Sequence, residues 1–322
     1  MSARQDPSLI VFDAAAVRRM LTLSAAMAPV REAMIALSSD RVRQLLRSFI
    51  ALDAGKTFAI MPAALLDAQV FGAKLVSVFG DGQGRKAHEG VVVLFDGIGG
   101  APVCVADAGE VTAIRTAAAS AVATDALAGP DADRLAILGI GRQAAAHIEA
   151  ISQVRPLTSV TVWGRDAERT RAFAEDMAGQ TGLKIEVAPD VRAAVAGASI
   201  VCTVSAAVEP ILRGAWVAPG AHVNVVGSSG PMAAEIDGDL VRASRFIVDH
   251  REHVLVHGGE FLRAKAQGLV GDEHLVAEIG QVLAGLAPGR QSVDQITVYK
   301  SLGHAAQDLA VTAWLHAQAR AA

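Results

Sequence analysis

The chain has 322 residues, a length that suits two domains. Apolar residues make up 52% and charged residues 19%, in short runs broken by Gly, Pro and charge; a large core is available, and no run reaches the ~18–20 residues of a membrane span. The net charge is −4 and the opening MSARQDPSLIVFD lacks a signal-like apolar stretch, which argues against nucleic-acid and membrane partners and for a cytoplasmic location.

Residues 13–54 read as helical, from apolar positions at mixed spacings of three and four. FAIM (58–61) and VFGAKLVSVF (70–79) read as strands, followed by a polar turn at Asp81-Gly82-Gln83-Gly84. GVVVLFD and PVCVAD are further strands, separated by Gly97-Ile98-Gly99-Gly100, and the set predicts an antiparallel or mixed meander. An Ala-rich helix runs from about Gly109 to Ala128 and stops at Gly129-Pro130. From Asp133 strands alternate with helices. LAILGIG, SVTVWGR, KIEVA, SIVCTVS, HVNVVGS and RFIVDH are strands, and 143–154 and 167–179 are helices. The alternation predicts an α/β fold with a parallel sheet and covering helices. ITVYKSLGHAAQDLAVTAWLHAQARAA reads as a strand running into a long helix. Cys104 and Cys202 sit in apolar strand contexts and read as buried, reduced thiols.

The sharpest local signal is Leu135–Ala144, a strand followed by GxGxxA and a helix. Gly139 permits the tight turn, Gly141 lets the backbone approach a pyrophosphate, and small Ala144 lets helix and strand pack closely. Arg142 and Gln143 open the helix, whose N-terminus offers N–H groups to anionic oxygens. With a βαβ continuation, this predicts a Rossmann-type, doubly wound dinucleotide-binding domain. The second strand ends Trp163-Gly164-Arg165-Asp166, with Gly164 where a ribose-binding acid is expected and Arg165 beside it. An Arg at a site without a carboxylate can pair with a 2′-phosphate, so NADP(H) is expected over NAD(H), with Asp166 still able to reach a ribose. The expected cofactor-binding set also includes Thr203, Val204, Ser205, Gly227, Ser228, Leu302 and Gly303.

Several blocks resemble one family. GEVTAIRTAAASAVATDAL (109–127) is similar to the "TAxRTAAxSA" helix of the ornithine cyclodeaminase/mu-crystallin family. FGAKLVSVF resembles its catalytic-lysine strand, PILRGAWVAPGAHVNVVGSSGP its "Pil.geWvkpGaHinavG" segment, and YKSLGHAAQD its "fKSlGxAxeD". These blocks, with the fingerprint, span residues 44 to 308 in family order. The resemblance implies a Rossmann domain, expected over 126–295, and a second α+β substrate and dimerisation domain formed by 1–125 and 296–322. It also implies a homodimer.

The resemblance implies site residues as well. Arg47, in RQLLRSFIAL, resembles the arginine of "QPxRTxxP", and Arg115 matches a second carboxylate-binding arginine. A guanidinium suits that task because its planar fork gives two parallel charge-assisted bonds. Lys74 occupies the catalytic-lysine position, where desolvation and two cations would lower its pKa. Thr116 is expected at the cofactor diphosphate, and His88 is a weaker acid–base candidate. In the family's cyclodeaminases the block "GGDCPGKTEL" carries an Asp that assists deamination; aligned on Pro231 and Glu235, this sequence has Ser229 there. Hydride transfer to C=N does not need that carboxylate. His250, His253 and His257 have helix-compatible metal-ligand spacing, but the family's matching "VDSxExAL" segment is not a metal site, so no metal is expected.

The resulting expectation is an NAD(P)H-dependent reductase of small 2-imino acids, such as 1-pyrroline-2-carboxylate. The alternatives are an ammonia lyase of the ornithine cyclodeaminase type with recycled NAD, an alanine dehydrogenase-like enzyme, and a cofactor- or ligand-binding protein without activity.

Overall fold

The computed structural model describes residues 9–53, 55–80 and 86–321; the side chains of 86–88 and the expected turn at Asp81–Gly84 lie outside the described residues. Two compact units are present, Met1–Arg115 with His304–Ala322, and Thr116–Gly303.

The first unit is built on seven strands: β1 (Ile10–Phe12), β2 (Val42–Gln44), β3 (Ser48–Asp53), β4 (Lys56–Leu65), β5 (Val70–Gly80), β6 (Lys86–Asp96) and β7 (Pro102–Asp107). Their order is β1-β7-β6-β5-β4-β2, with β3 also paired to β4. β1 runs parallel to β7 and the other pairs are antiparallel, so the sheet is mixed. Residues 13–54 depart from the helical expectation. Two helices form, α1 (Ala14–Met20) and α2 (Leu23–Leu37), and the rest of the segment supplies β2 and β3. Asp13 and Thr22 cap the helices by accepting the N–H groups of Ala16 and Ala25. Val42, Leu45, Leu46, Phe49 and Ile50 recur at helical spacing, yet that period does not set the structure. The hydrogen-bonding edge of β4 decides instead, pairing Val42 with Leu65 and Ser48 with Ile60.

Helix α3 (Ala108–Leu127) follows β7, and the boundary between units falls inside it, between Arg115 and Thr116. The C-terminal helix, numbered α11 (Ala305–Ala321) in chain order, belongs to the first unit. It packs on α2 and across β4, β5 and β6, burying Leu309, Val311 and Leu315.

The second unit carries eight parallel strands: β8 (Arg134–Leu138), β9 (Ser159–Trp163), β10 (Ile185–Val187), β11 (Ile200–Thr203), β12 (His222–Val225), β13 (Arg245–Val248), β14 (Leu275–Glu278) and β15 (Thr297–Lys300). Between them run α4 (Arg142–Ser152), α5 (Ala167–Thr181), α6 (Val191–Val195), α7 (Gly238–Ala243), α8 (Arg251–His257), α9 (Gly259–Ala266) and α10 (Ile279–Leu283). The order β10-β9-β8-β11-β12-β15-β13-β14 reverses direction at β8, between β9 and β11. In such sheets ligands bind beyond the carboxyl ends of the strands at the reversal. The unit boundaries differ from those drawn on the sequence at 125/126 and 295/296. β15 pairs with both β12 and β13, which fixes Thr297–Lys300 inside the second sheet. Cys104 and Cys202 are free and buried. Among the described residues no single helix is long and apolar enough to cross a membrane.

Candidate active site

In the first unit the structure brings a lysine, an arginine and a carboxylate into one buried cluster. Lys74 lies mid-strand in β5, opposite Met61 and Val92 on the neighbouring strands, and is 6% exposed. Its Nζ donates to Thr112 Oγ1 on α3 and lies 3.4 Å from Asp308 Oδ1 on α11. Arg115, one turn along α3 from Thr112, donates from Nε to the same Asp308 oxygen at 2.9 Å and from Nη1 to Gln307 Oε1 at 3.0 Å. Two of its three nitrogens are thus fixed internally. Nη2 has no internal hydrogen bond among the described residues, so one donor of the guanidinium remains for a carboxylate.

Burial is the largest influence on the Lys74 ammonium and pulls its pKa down to about 8; Asp308 pushes the other way, and the charges of Arg115 and Arg47 lower it further. Arg47, half-buried between β2 and β3, therefore belongs to the electrostatic surroundings of Lys74. Gln44, three residues earlier, meets the ring of His304 at the head of α11 (Nε2 to Nδ1, 2.9 Å). This contact ties the Arg47 segment to the helix that carries Asp308. His88 lies opposite Val78 in the β5–β6 pairing, but its side chain lies outside the described residues.

The second unit gathers the expected cofactor residues at the carboxyl ends of adjacent strands. Gly139 follows β8 with φ +133°, and a Cβ there would meet the Val204 carbonyl oxygen at 2.6 Å. Only glycine combines that backbone with that approach. Gly141 caps α4 with extended backbone and no side-chain cap, and a Cβ there would meet nothing within 4 Å. The helix thus presents its N-terminal N–H groups beside open space, as a diphosphate requires. Thr116, on α3, has a hydroxyl that is buried yet without a hydrogen-bond partner among the described residues. This cradle fits a dinucleotide.

Other members of the set serve the cradle indirectly. The buried carboxylate of Glu235 accepts from Thr203 Oγ1 (2.8 Å), Ser205 N (2.7 Å), Ser205 Oγ (2.6 Å) and Gly227 N (2.6 Å). One side chain thereby holds the loops after β11 and β12, and a Cβ on Gly227 would strike the Ser205 carbonyl at 2.1 Å. Ser228 is also engaged internally. Its Oγ donates to Glu260 and accepts from Lys300 Nζ at 2.6 Å, and Lys300 pairs with Glu260 at 2.9 Å, both side chains fully buried. Leu302 and Gly303 donate their N–H groups to Asp249 at 2.5 and 2.8 Å. Ser229 is exposed in the loop after β12. Asp166 caps α5 by accepting Arg169 N at 3.0 Å, so one of its oxygens already has a structural task, while Arg165 is exposed.

Asp308, Gln307, Glu235, Glu260 and Lys300 were not among the sequence-based site residues. Asp308 ends the KSLGHAAQD block, and that is the signal that could have singled it out. Among the described residues no group of three or more His, Cys, Asp or Glu side chains is arranged to hold a metal; the His253 ring meets those of His250 and His257 edge to face.

The parallel sheet, its reversal and the glycine cradle define a dinucleotide-binding protein. Residues 9–322 match the ornithine cyclodeaminase/mu-crystallin family, and the chain belongs to it. The ketimine reductase mu-crystallin of Mus musculus is 37% identical over 272 residues, 83% of this chain and 82% of that protein. The Delta(1)-pyrroline-2-carboxylate reductase of Thermococcus litoralis, solved with NADH and L-proline, superimposes with a TM-score of 0.91 at 29% identity, covering 96% of each chain. An archaeal alanine dehydrogenase dimer with bound NAD gives a TM-score of 0.90 at 26% identity, covering 98% of this chain and 97% of that one.

Proposed function

We propose that the chain is an NAD(P)H-dependent reductase of small 2-imino acids of the 1-pyrroline-2-carboxylate type, yielding the L-amino acid. The observation that carries this reading is the buried Lys74, held by Thr112 and Asp308 beside the available edge of Arg115. Arg115 and Arg47 clamp the substrate carboxylate and so set the approach of the imine carbon. When bound, the nicotinamide supplies the hydride. Lys74 gives its proton to the imine nitrogen, so C=N becomes CH–NH and the ammonium becomes a neutral amine. The relatives named above as ketimine and pyrroline-2-carboxylate reductases act on this bond. Ser229 supports reduction over ammonia loss, since no carboxylate stands where the cyclodeaminases have one. The test is loss of NADPH or NADH absorbance with 1-pyrroline-2-carboxylate, with ornithine as a separate substrate. Rapid oxidation is expected with the imine. Ammonia release from ornithine without change in cofactor absorbance would identify a lyase instead.

NADPH is the proposed reductant, with NADH accepted. Gly164 brings no carboxylate, one oxygen of Asp166 is committed to its helix, and Arg165 stands exposed at the strand end. Arg165→Ala should raise KM for NADPH about tenfold, the worth of one charge-assisted hydrogen bond, and leave KM for NADH nearly unchanged. Equal effects on both cofactors would remove the argument.

The proposed assembly is a homodimer. β3 is exposed along its whole length, with Phe49 at 55%, Ile50 at 51% and Leu52 at 54%, an apolar edge that a lone soluble chain rarely leaves open. Ile50→Asp is expected to shift the sedimentation coefficient from dimer to monomer; an unaltered monomer in the parent chain would refute the assignment.

A further inference from the structure

Asp308 stands at the centre of the Lys74 cluster and has no part in the clamp or the hydride transfer. It is fully buried. Oδ1 receives Arg115 Nε at 2.9 Å and lies 3.4 Å from Lys74 Nζ, so one oxygen is shared between two cations. Oδ2 is buried and has no hydrogen-bond partner among the described residues. A carboxylate in that state keeps its charge poorly compensated by donors, and its field acts on whatever cations stand beside it.

The charged groups around Lys74 come from three elements. Asp308 stands on α11, Arg115 on α3 and Arg47 between β2 and β3, while Thr112 on α3 adds a neutral hydroxyl. The sheet partners Met61 and Val92 carry no charge. Three cations thus face one anion before substrate arrives. Desolvation and the two guanidiniums all favour a neutral amine at Lys74. A proton donor that is neutral at the working pH cannot donate.

We propose that Asp308 is the positioning residue that keeps the proton on Lys74, so that the lysine enters each reductive turn as an ammonium ion. The shared oxygen also fixes the spacing between the donor and Arg115. Asp308 acts through Lys74 and does not exchange a proton with substrate. This inference rests on the reading of Lys74 as the proton donor.

The test compares the parent chain, Asp308→Asn and the charge-preserving Asp308→Glu, by two readouts. The first is the pH dependence of kcat/KM for imine reduction, whose alkaline fall marks loss of the Lys74 proton. The second is direct titration of the lysine 13Cε signals in the whole protein without substrate, with Lys74 assigned by Lys74→Met. The sequence has six lysines, so the spectrum is tractable. In Asp308→Asn both midpoints should fall together by about 1–3 pH units, the usual effect of removing an opposite charge at this range. In Asp308→Glu they should stay near the parent value. The midpoint for oxidation of the amino-acid product, which needs neutral Lys74, should move down equally. A uniform loss of rate with both midpoints unmoved would mean that Asp308 is merely structural, and would overturn the proposal. Should the Asn variant fail to fold, the parent chain alone decides. The Asp308 13Cγ signal must step at the pH where Lys74 titrates, and no step there overturns the proposal too. If Lys74 titrates as described but the parent kcat/KM shows no fall at that pH, the donor reading of Lys74 is what fails.

Discussion

Lys74→Met is expected to lower kcat for imine reduction by about 10²–10⁴-fold, the range that a positioned proton donor supplies. Methionine fills much of the same space, and Arg115 still pairs with Asp308 at 2.9 Å, so the cluster keeps its frame. Binding of a carboxylate inhibitor should therefore change little, which separates loss of the proton from loss of the site. The parent enzyme has a matching pH signature. Burial first, and then the neighbouring guanidiniums, bring the Lys74 pKa to about 8. Below that pH the ammonium is present and the reductive rate is flat. Above it the donor is lost, and the rate should fall tenfold per unit. Steady-state kinetics across this range should show the fall in the parent chain and none in the variant. Near-normal turnover by Lys74→Met, with binding intact, would place the proton source elsewhere.

The second large effect is on stability. Lys300→Met leaves Glu260 and Ser228 in a fully buried position without the ammonium that pairs with both. Breaking a buried pair from one side costs about 3–5 kcal/mol, because the remaining carboxylate keeps only the neutral donors Ser228 Oγ and Glu235 N–H and can neither reach water nor find a counter-charge. The urea midpoint should fall by an amount that reports this loss. Glu260→Met introduced together with Lys300→Met should recover much of it, since two apolar side chains of similar volume leave no stranded charge. A single variant as stable as the parent, or a double variant no better than the single, would show that the pair has no such weight.

Local signals carried the second unit well. The strand, the two glycines and the small residue of 135–144 state their own geometry, and the alternation of strands and helices makes the sheet parallel. The first unit was harder to read. Around RQLLRSFIAL, Val42, Leu45, Leu46, Phe49 and Ile50 fall at helical spacing, and what overrides it is the pairing of β3 with β4, from Asp53 with Lys56 to Ser48 with Ile60, which no periodicity within the segment announces. The carboxylate at the centre of the lysine cluster was hidden for a similar reason. In AAQDLAV, Asp308 looks like the polar position of an ordinary helix. Its meaning comes from partners 193 and 234 residues away, Arg115 and Lys74. In the sequence Glu235 marks only a point of alignment, yet its carboxylate holds four backbone and side-chain donors, from Thr203, Ser205 and Gly227. Lys300 stands in YKSLGHAAQD in the same way, and only its complete burial against Glu260 shows that it is an internal counter-ion.

Gly164 bears on how cofactor choice can change in this lineage. A side chain there would begin 2.6 Å from Thr170 Oγ1 and 3.0 Å from the Ile140 side chain. The Thr170 hydroxyl cannot swing away cheaply, because it donates to the Asp166 carbonyl at 2.6 Å. The single replacement by aspartate that chemistry suggests for favouring NAD is thus obstructed by packing. Smaller residues at 140 and 170 have to come first. An acidic side chain at 164 therefore depends on its neighbours: it can be seated only in a background where positions 140 and 170 have already been made smaller.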